Sequence, residues 1–248
     1  MQTIGIIPAR YASTRLPGKP LIKIAGKSMI QRVYEQVTQA KLLSKVIVAT
    51  DDERIVQEVS SFGGIVQMTD PSHKSGTDRC AEVAKHFQDI AAVVNIQGDE
   101  PFIDPLQIDL LITRLQDERV QIATLVRKFE TMEALLNPNT AKVVLNKQQE
   151  AIYFSRSPIP YLRGISQDLW LENATYYQHI GIYGYKRATL LAITELPQGR
   201  LEQIESLEQL RWLEHQYPIS VAITDKISFG VDTREDLEQA RLMALDKK

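Results

Sequence analysis

Three cations at positions 10, 15 and 19 and two carboxylates at positions 99 and 232 are the side chains of this 248-residue chain with the clearest capacity for joint chemistry. Arg10, Arg15 and Lys19 sit in a polar loop with Ser13, Thr14, Pro17 and Gly18, directly after an apolar run (Ile4, Ile6, Ile7) that stops at Pro8. A buried strand feeding a cationic loop is suited to holding an anion, because turn N–H groups can point at phosphate oxygens while guanidinium and ammonium groups offset their charge. A triphosphate is the expected ligand. The loop is neither a Walker sequence nor a GxGxxG dinucleotide turn. Taken alone it also reads as a solvated basic turn after an edge strand. Asp99 follows the run AAVVNIQG, and Asp232 lies in SFGVD near the other end of the chain. Two carboxylates from distant positions are what Mg²⁺ needs when phosphates complete its octahedron, although an Asp after a strand is also a common turn or cap residue. Glu100 is the weaker ligand candidate.

The second half carries a different chemistry. With a two-residue period, Tyr177, His179, Gly181, Tyr183 and Tyr185 share one face of a strand and Ile180 and Ile182 the other. Imidazole, phenols and a bare glycine suit a polyhydroxylated sugar; the competing reading is a half-exposed strand face. His179 has no second histidine at metal-ligand spacing. Arg156, just after a strand ending at Phe154, can take a carboxylate through two parallel N–H bonds. Glu208, beside Trp212, and Gln97, beside Asp99, can accept or donate to hydroxyls, or serve as ordinary surface polar groups. The turn Ser75–Gly76–Thr77–Asp78–Arg79 reads as a helix N-terminus.

Positioning these groups requires a sheet. The opening strand, Lys45 to Thr50, Ile65 to Met68 and Ala92 to Gln97 are near-continuous apolar runs alternating with helices. Those helices are capped at Ser28, at Asp51 or Asp52, near Thr77, and at Asp104–Pro105 ahead of Leu106 to Leu115. Such alternation predicts a parallel sheet covered on both faces, with ligands at the carboxyl ends of its strands. After about residue 120 strands dominate: Ile122 to Val126, Lys142 to Leu145, Ala151 to Phe154, in a hairpin around Asn146 and Lys147, and Tyr177 to Tyr185. They are expected to add antiparallel pairing. Leu162 to Tyr176 lacks a period and is expected to be a mobile loop. Glu205 to Tyr217 reads as a helix with Leu207, Leu210 and Leu213 inward, and Thr233 and Asp236 form a capping box for the last helix.

Composition sets bounds. With 29 basic and 31 acidic residues the net charge is −2, which argues against a general nucleic-acid binder. The one cysteine, Cys80, permits no internal disulfide or thiolate cluster and is expected to be a small buried helix residue. No run approaches the roughly 20 apolar residues of a membrane span, so the chain is expected to be soluble and cytoplasmic.

The segments RYASTRLPGKPL, SGTDR, NIQGDEP, YFSRSPIP, HIGIYGY and GVDTREDLE resemble the 3-deoxy-manno-octulosonate cytidylyltransferases, or CMP-Kdo synthetases, over nearly the whole chain. The opening loop is shared more widely, with CMP-sialic acid synthetases and other nucleotidyltransferases. The resemblance implies an α/β fold: a nucleotide-diphospho-sugar-transferase-like, Rossmann-like three-layer sandwich with a mixed, mainly parallel sheet and a smaller antiparallel lobe. It implies one cytidylyltransferase domain, with a nucleotide-binding half to about residue 120 and a sugar-binding and dimerisation half beyond it. The implied reaction is CMP transfer from CTP to Kdo for lipopolysaccharide biosynthesis, by a Mg²⁺-dependent homodimer. Lys19, Asp99 and Asp232 are the implied catalytic residues, the two aspartates holding the metal. Pro8, Ala9, Arg10, Arg15, Lys19, Ser75, Gly76 and Arg79 bind nucleotide, and Gln97, Arg156, His179, Tyr183 and Glu208 bind sugar. Arg234 departs from the pattern, since proline commonly follows VDT. A nine-carbon sialic acid as acceptor and a non-catalytic nucleotide-binding module are the alternatives.

Overall fold

The computed structural model describes residues 1–12 and 16–246. The chain opens with β1 (Thr3–Ala9), the short strands β2 (Lys23–Ile24) and β3 (Lys27–Ser28), then α1 (Met29–Val37), β4 (Lys45–Thr50), α2 (Glu53–Ser61) and β5 (Val66–Met68). It continues with α3 (Gly76–Lys85), β6 (Ala92–Asn95), α4 (Pro105–Leu115), β7 (Ile122–Lys128), α5 (Met132–Leu136), β8 (Lys142–Leu145) and β9 (Ala151–Ser155). The remainder comprises α6 (Trp170–Asn173), β10 (Tyr177–Lys186), α7 (Arg187–Ile193), α8 (Arg200–Glu205), α9 (Gln209–Glu214), β11 (Ile219–Ile223) and α10 (Arg234–Asp246).

Local chemistry explains most helix starts. Ser28 accepts from Gln31 N to cap α1, and Asp52, not Asp51, accepts from Arg54 N to cap α2. Ser75 and Asp78 close a reciprocal capping box on α3, and Asp104 with Pro105 begins α4. The box expected for the last helix also forms, with Thr233 N donating to Asp236 Oδ2 and Asp236 N to Thr233 Oγ1. Each cap satisfies an N–H that the first helical turn leaves without a partner, a contribution of about 1 kcal/mol.

The main sheet runs β11-β7-β10-β6-β1-β4-β5. β1 pairs in parallel with β4 and β6, β4 with β5, and β7 with β11, whereas β10 is antiparallel to both β6 and β7. One reversed strand therefore joins two parallel blocks that point the same way. The hairpin of β8 and β9 extends from β10. Ile4, Ile6, Val93, Tyr183 and Tyr185 face a layer built from α3, α7 and α9, while Ile7, Val48, Val94, Ile180 and Ile182 face α1, α2 and α4. Alternate residues serve opposite layers, and both are buried, which is why the strands read as continuous apolar runs.

Several expectations need correction. β5 is an edge strand with partly open side chains rather than a buried one. β11 and α7 were not anticipated, whereas the expected antiparallel addition forms through β10, β8 and β9. The helix expected over Glu205 to Tyr217 is broken: Ser206 adopts φ 52°, ending α8, and α9 starts afresh. Leu162 to Tyr176 is not a structureless loop. Trp170 stacks on Tyr176 at 5.8 Å, and both pack with Phe129 and Leu135 in a satellite core. α10 returns to the opening of the chain, where Leu237, Ala240 and Ala244 bury Leu16, Ile24 and Met29. The two expected halves thus share one sheet, and the last helix is packed on the first.

Candidate active site

The carboxyl ends of β1 and β6 lie side by side in the sheet and open into a cleft of about 330 Å³ lined by Pro8, Ala9, Arg10, Lys19, Gln97 and Asp99, with Asp232 at its edge. Gly98 permits this approach, since a Cβ there would meet the Pro8 carbonyl oxygen at 2.8 Å. Gly18, at φ 68°, turns the loop so that Lys19 enters the cleft behind it.

Lys19 is the centre of the arrangement. Its ammonium donates to Asp99 Oδ2 at 2.6 Å, to Asp232 Oδ1 at 3.0 Å and to the Val231 carbonyl at 3.0 Å. Burial alone would lower its pKa, but the charge of Asp99 and the hydrogen bonds to both aspartates outweigh that and hold it above the ordinary lysine value. The ammonium marks a position where hard oxygen donors from two distant parts of the chain, Asp99 and the Val231–Asp232 pair, converge on positive charge. That donor set fits Mg²⁺, which prefers carboxylate and carbonyl oxygen. Asp99 and Asp232 are the residues that would hold it. No group of three or more His, Cys, Asp or Glu side chains suited to a metal occurs among the described residues. Glu100 is not part of the set: it is buried, accepts from Ser228 Oγ, and is pushed up to about 7 by burial and by the neighbouring Asp99 charge, despite that hydrogen bond.

The helix turn before α3 abuts this cleft. A Cβ on Gly76 would stand 3.1 Å from the Pro8 ring, and Arg10 donates to the His73 carbonyl at 2.8 Å. Thr77 Oγ1 donates to Glu208 Oε2 at 2.7 Å, so the turn is tied to the start of α9. Ser75 and Glu208 line a second cleft of about 430 Å³ with Lys74, Gln198 and Arg211. Burial raises the pKa of Glu208 even though Thr77 and Ser75 hydrogen-bond to it. Gln97 donates to the Gly181 carbonyl at 2.8 Å and links the cleft to β10.

Other expected site residues land differently. Arg79 does not present its guanidinium to a nucleotide: it is fully buried, donating to Thr69 Oγ1 and to Asp51 Oδ2 at 3.0 Å, and so braces the ends of β4 and β5. Tyr183 is buried rather than on a half-open face, with its ring edge-on to Trp212 at 5.0 Å, and Tyr185 packs against the same indole. His179 contacts Phe154 edge-on and pairs with Thr124 Oγ1 at 3.1 Å. Burial takes its pKa down to about 3, which keeps the imidazole neutral. Arg156 already donates to three backbone carbonyls, those of Glu205, Pro138 and Ser206. Arg15 falls outside the described residues. Lys142 and Glu205, which hold Arg156 in place, were missed; a lysine opening a KVVL strand and a glutamate in a helix carry no sequence signal of burial.

The chain that carries this cleft is similar to known proteins in sequence and in fold. The family model described as cytidylyltransferase matches residues 4–227. A 3-deoxy-manno-octulosonate cytidylyltransferase of Parabacteroides distasonis is 56% identical over 245 residues, 97% of each chain, and one of Bacteroides thetaiotaomicron is 54% identical over 244 residues, again 97% of each. A solved structure of CMP:2-keto-3-deoxy-manno-octonic acid synthetase in complex with CTP superposes over 100% of both chains with a TM-score of 0.93 and 42% identity. A glucose-1-phosphate thymidylyltransferase of Bacillus anthracis, 17% identical with a TM-score of 0.66 over 98% of this chain and 96% of its own, shares the fold alone. By fold, by family match and by identity over nearly its full length, the chain belongs to the 3-deoxy-manno-octulosonate cytidylyltransferases.

Proposed function

We propose that this protein transfers the CMP group of CTP to 3-deoxy-D-manno-octulosonate (Kdo), forming CMP-Kdo and pyrophosphate. The observation that carries the reading is the meeting of Lys19, Asp99 and Asp232 in one cleft, because nucleotidyl transfer needs charge compensation around a triphosphate and no protein nucleophile. Arg10 and Lys19, with Arg15 from the sequence reading, hold the phosphate chain, and the Pro8–Ala9 strand end and the Ser75–Gly76 turn seat the nucleoside. Gln97, Arg156, His179, Tyr183 and Glu208 shape the acceptor side. Arg156 faces the sugar carboxylate, and the neutral imidazole of His179 offers a hydrogen bond without adding charge. The 2-hydroxyl oxygen of the sugar bonds to the α-phosphorus as its proton passes to solvent and the bond to the β-phosphate breaks, and pyrophosphate departs with the electron pair of that bond. Holding both partners in line is the chain's main contribution. When bound, Mg²⁺ on Asp99 and Asp232 supplies charge compensation at the α-phosphate and at the reacting oxygen. A role in lipopolysaccharide biosynthesis, a cytoplasmic location and assembly as a homodimer rest on likeness to the relatives named above; no helix among the described residues is long and apolar enough to cross a membrane.

The test is pyrophosphate release from CTP with Kdo, with a nine-carbon sialic acid, and with no acceptor, each with Mg²⁺ or excess chelator. Release that needs Kdo and the metal is expected. Equal turnover with the sialic acid, or CTP binding without turnover, would overturn the reading.

A further inference from the structure

Arg156 is gripped more completely than a surface arginine needs to be. Its backbone N–H donates to Glu205 Oε2 at 2.8 Å, and its carbonyl accepts from Lys142 Nζ at 2.7 Å. In the guanidinium, Nε donates to the Glu205 carbonyl at 2.7 Å, Nη1 to the Pro138 carbonyl at 3.0 Å and Nη2 to the Ser206 carbonyl at 3.2 Å. A guanidinium has five N–H groups, so one remains on each terminal nitrogen, the pair a carboxylate needs for a two-pronged contact.

Both anchoring side chains are themselves fixed. Lys142 is fully buried and also donates to the Asn137 carbonyl at 2.7 Å, beside the Pro138 that Nη1 uses. Glu205 uses its other oxygen to accept from Ser155 Oγ at 2.6 Å. The left-handed Ser206, at φ 52°, breaks the helix where the consecutive carbonyls of Glu205 and Ser206 meet the guanidinium. Burying a lysine against carbonyls, with no carboxylate at ion-pair distance among the described residues, is costly; burial and then the Arg156 charge lower its pKa, against a smaller opposing effect of the Glu205 charge. A merely structural crosslink is available from apolar packing without that cost.

We infer that Lys142 and Glu205 are positioning residues that lock Arg156 with its two remaining N–H groups aimed at the carboxylate of the acceptor sugar. The inference rests on the reading of Arg156 as the carboxylate contact. The clamp removes the rotamer freedom that a free arginine would lose on binding, so its effect falls on acceptor affinity and leaves the nucleotide site alone.

The experiment is steady-state kinetics with both substrates varied. Glu205→Leu and Lys142→Met should each raise the KM for Kdo by about tenfold or more, as misplacement of a contact group does, with the KM for CTP within about twofold. Glu205→Gln keeps an oxygen for the Arg156 N–H and an amide that can donate to Ser155, so it should restore the wild-type KM for Kdo. Because the clamp acts through Arg156, Glu205→Leu should add nothing in an Arg156→Ala background. An equal rise in that background, or parallel rises for CTP and Kdo, would overturn the inference. If Arg156→Ala raises the KM for Kdo and the clamp variants do not, the clamp alone fails. If Arg156→Ala leaves that KM unmoved, the carboxylate reading fails and the clamp with it. Should Glu205→Leu not fold, Glu205→Asp, too short to reach Ser155 and Arg156 together, serves the same comparison.

Discussion

Two regions of the molecule are built on opposite principles. Around Lys19 the groups are charged and partly open: the side chains of Lys19, Asp99 and Asp232 are 16%, 28% and 46% exposed, and they come from positions 80 and 213 residues apart from the lysine. Around Arg156 and His179, themselves half-buried, the supporting polar groups Lys142, Ser155 and Thr124 are enclosed and already hydrogen-bonded to protein. A triphosphate and a metal bring large charge of their own, so the protein needs opposing charge that can exchange partners. A polyol with a single carboxylate brings far less charge than a triphosphate with a metal, so on the proposed reading its recognition depends more on groups fixed beforehand. The first side is therefore sensitive to charge and the second to geometry.

Asp99→Asn should break the charged side most severely. Turnover is expected to fall by about 10² to 10³, the usual scale for losing one preorganised electrostatic group, with the fold unchanged because the Asp99 side chain is 28% exposed and hydrogen-bonds to Lys19 at the cleft rather than packing in the core. Pyrophosphate release and a thermal melt on the same sample check both halves of this statement. Lys19→Met should chiefly weaken CTP, by roughly thirtyfold for one charge-assisted contact of about 2 kcal/mol. It should also enhance the stabilisation given by Mg²⁺ alone, since Lys19 no longer competes for the Asp99 carboxylate; a nucleotide titration and a metal melt would expose either error.

On the enclosed side the effects are smaller and depend on pH. His179 titrates at about 3 when folded, against 6.5 for the free side chain. Above pH 6.5 both states are neutral. As pH falls from 6.5 toward 3 only the unfolded chain gains the proton, so stability is lost by up to about 1.4 kcal/mol per pH unit. His179→Asn should flatten that part of the stability profile, and an unchanged acid limb in chemical denaturation would refute it. Thr77→Val should be the mildest, costing about 1 kcal/mol. The loss should be greater at pH 8 than at pH 4, because Thr77 favours the charged form of Glu208 against a burial that raises its pKa.

Much of the scaffold was legible because its signals are local. Caps at Ser28, Asp104 and Thr233 act within three residues, and the apolar runs of β1, β4 and β6 declare a sheet buried on both faces. Elements without such signals escaped. The five residues of β11 resemble any short apolar run, and the break at Ser206 needs no glycine because its left-handed turn is held by Arg156, 50 residues earlier in the chain. Trp170 and Tyr176 look like loop residues until they stack.

The sequence by itself determined the chemistry available to this protein: basic groups after the first strand, isolated aspartates after two others, a neutral polar strand, and a pattern shared with one family along nearly the whole chain. Only the tertiary structure decided which of those groups meet. Arg79 and Arg156 are both arginines on loops or helix starts with no sequence mark to separate them, yet one is sealed against Thr69 and Asp51 while the other retains two N–H groups. Side-chain type is a local property, whereas burial and the direction of a free N–H are set by contacts between residues far apart in the chain.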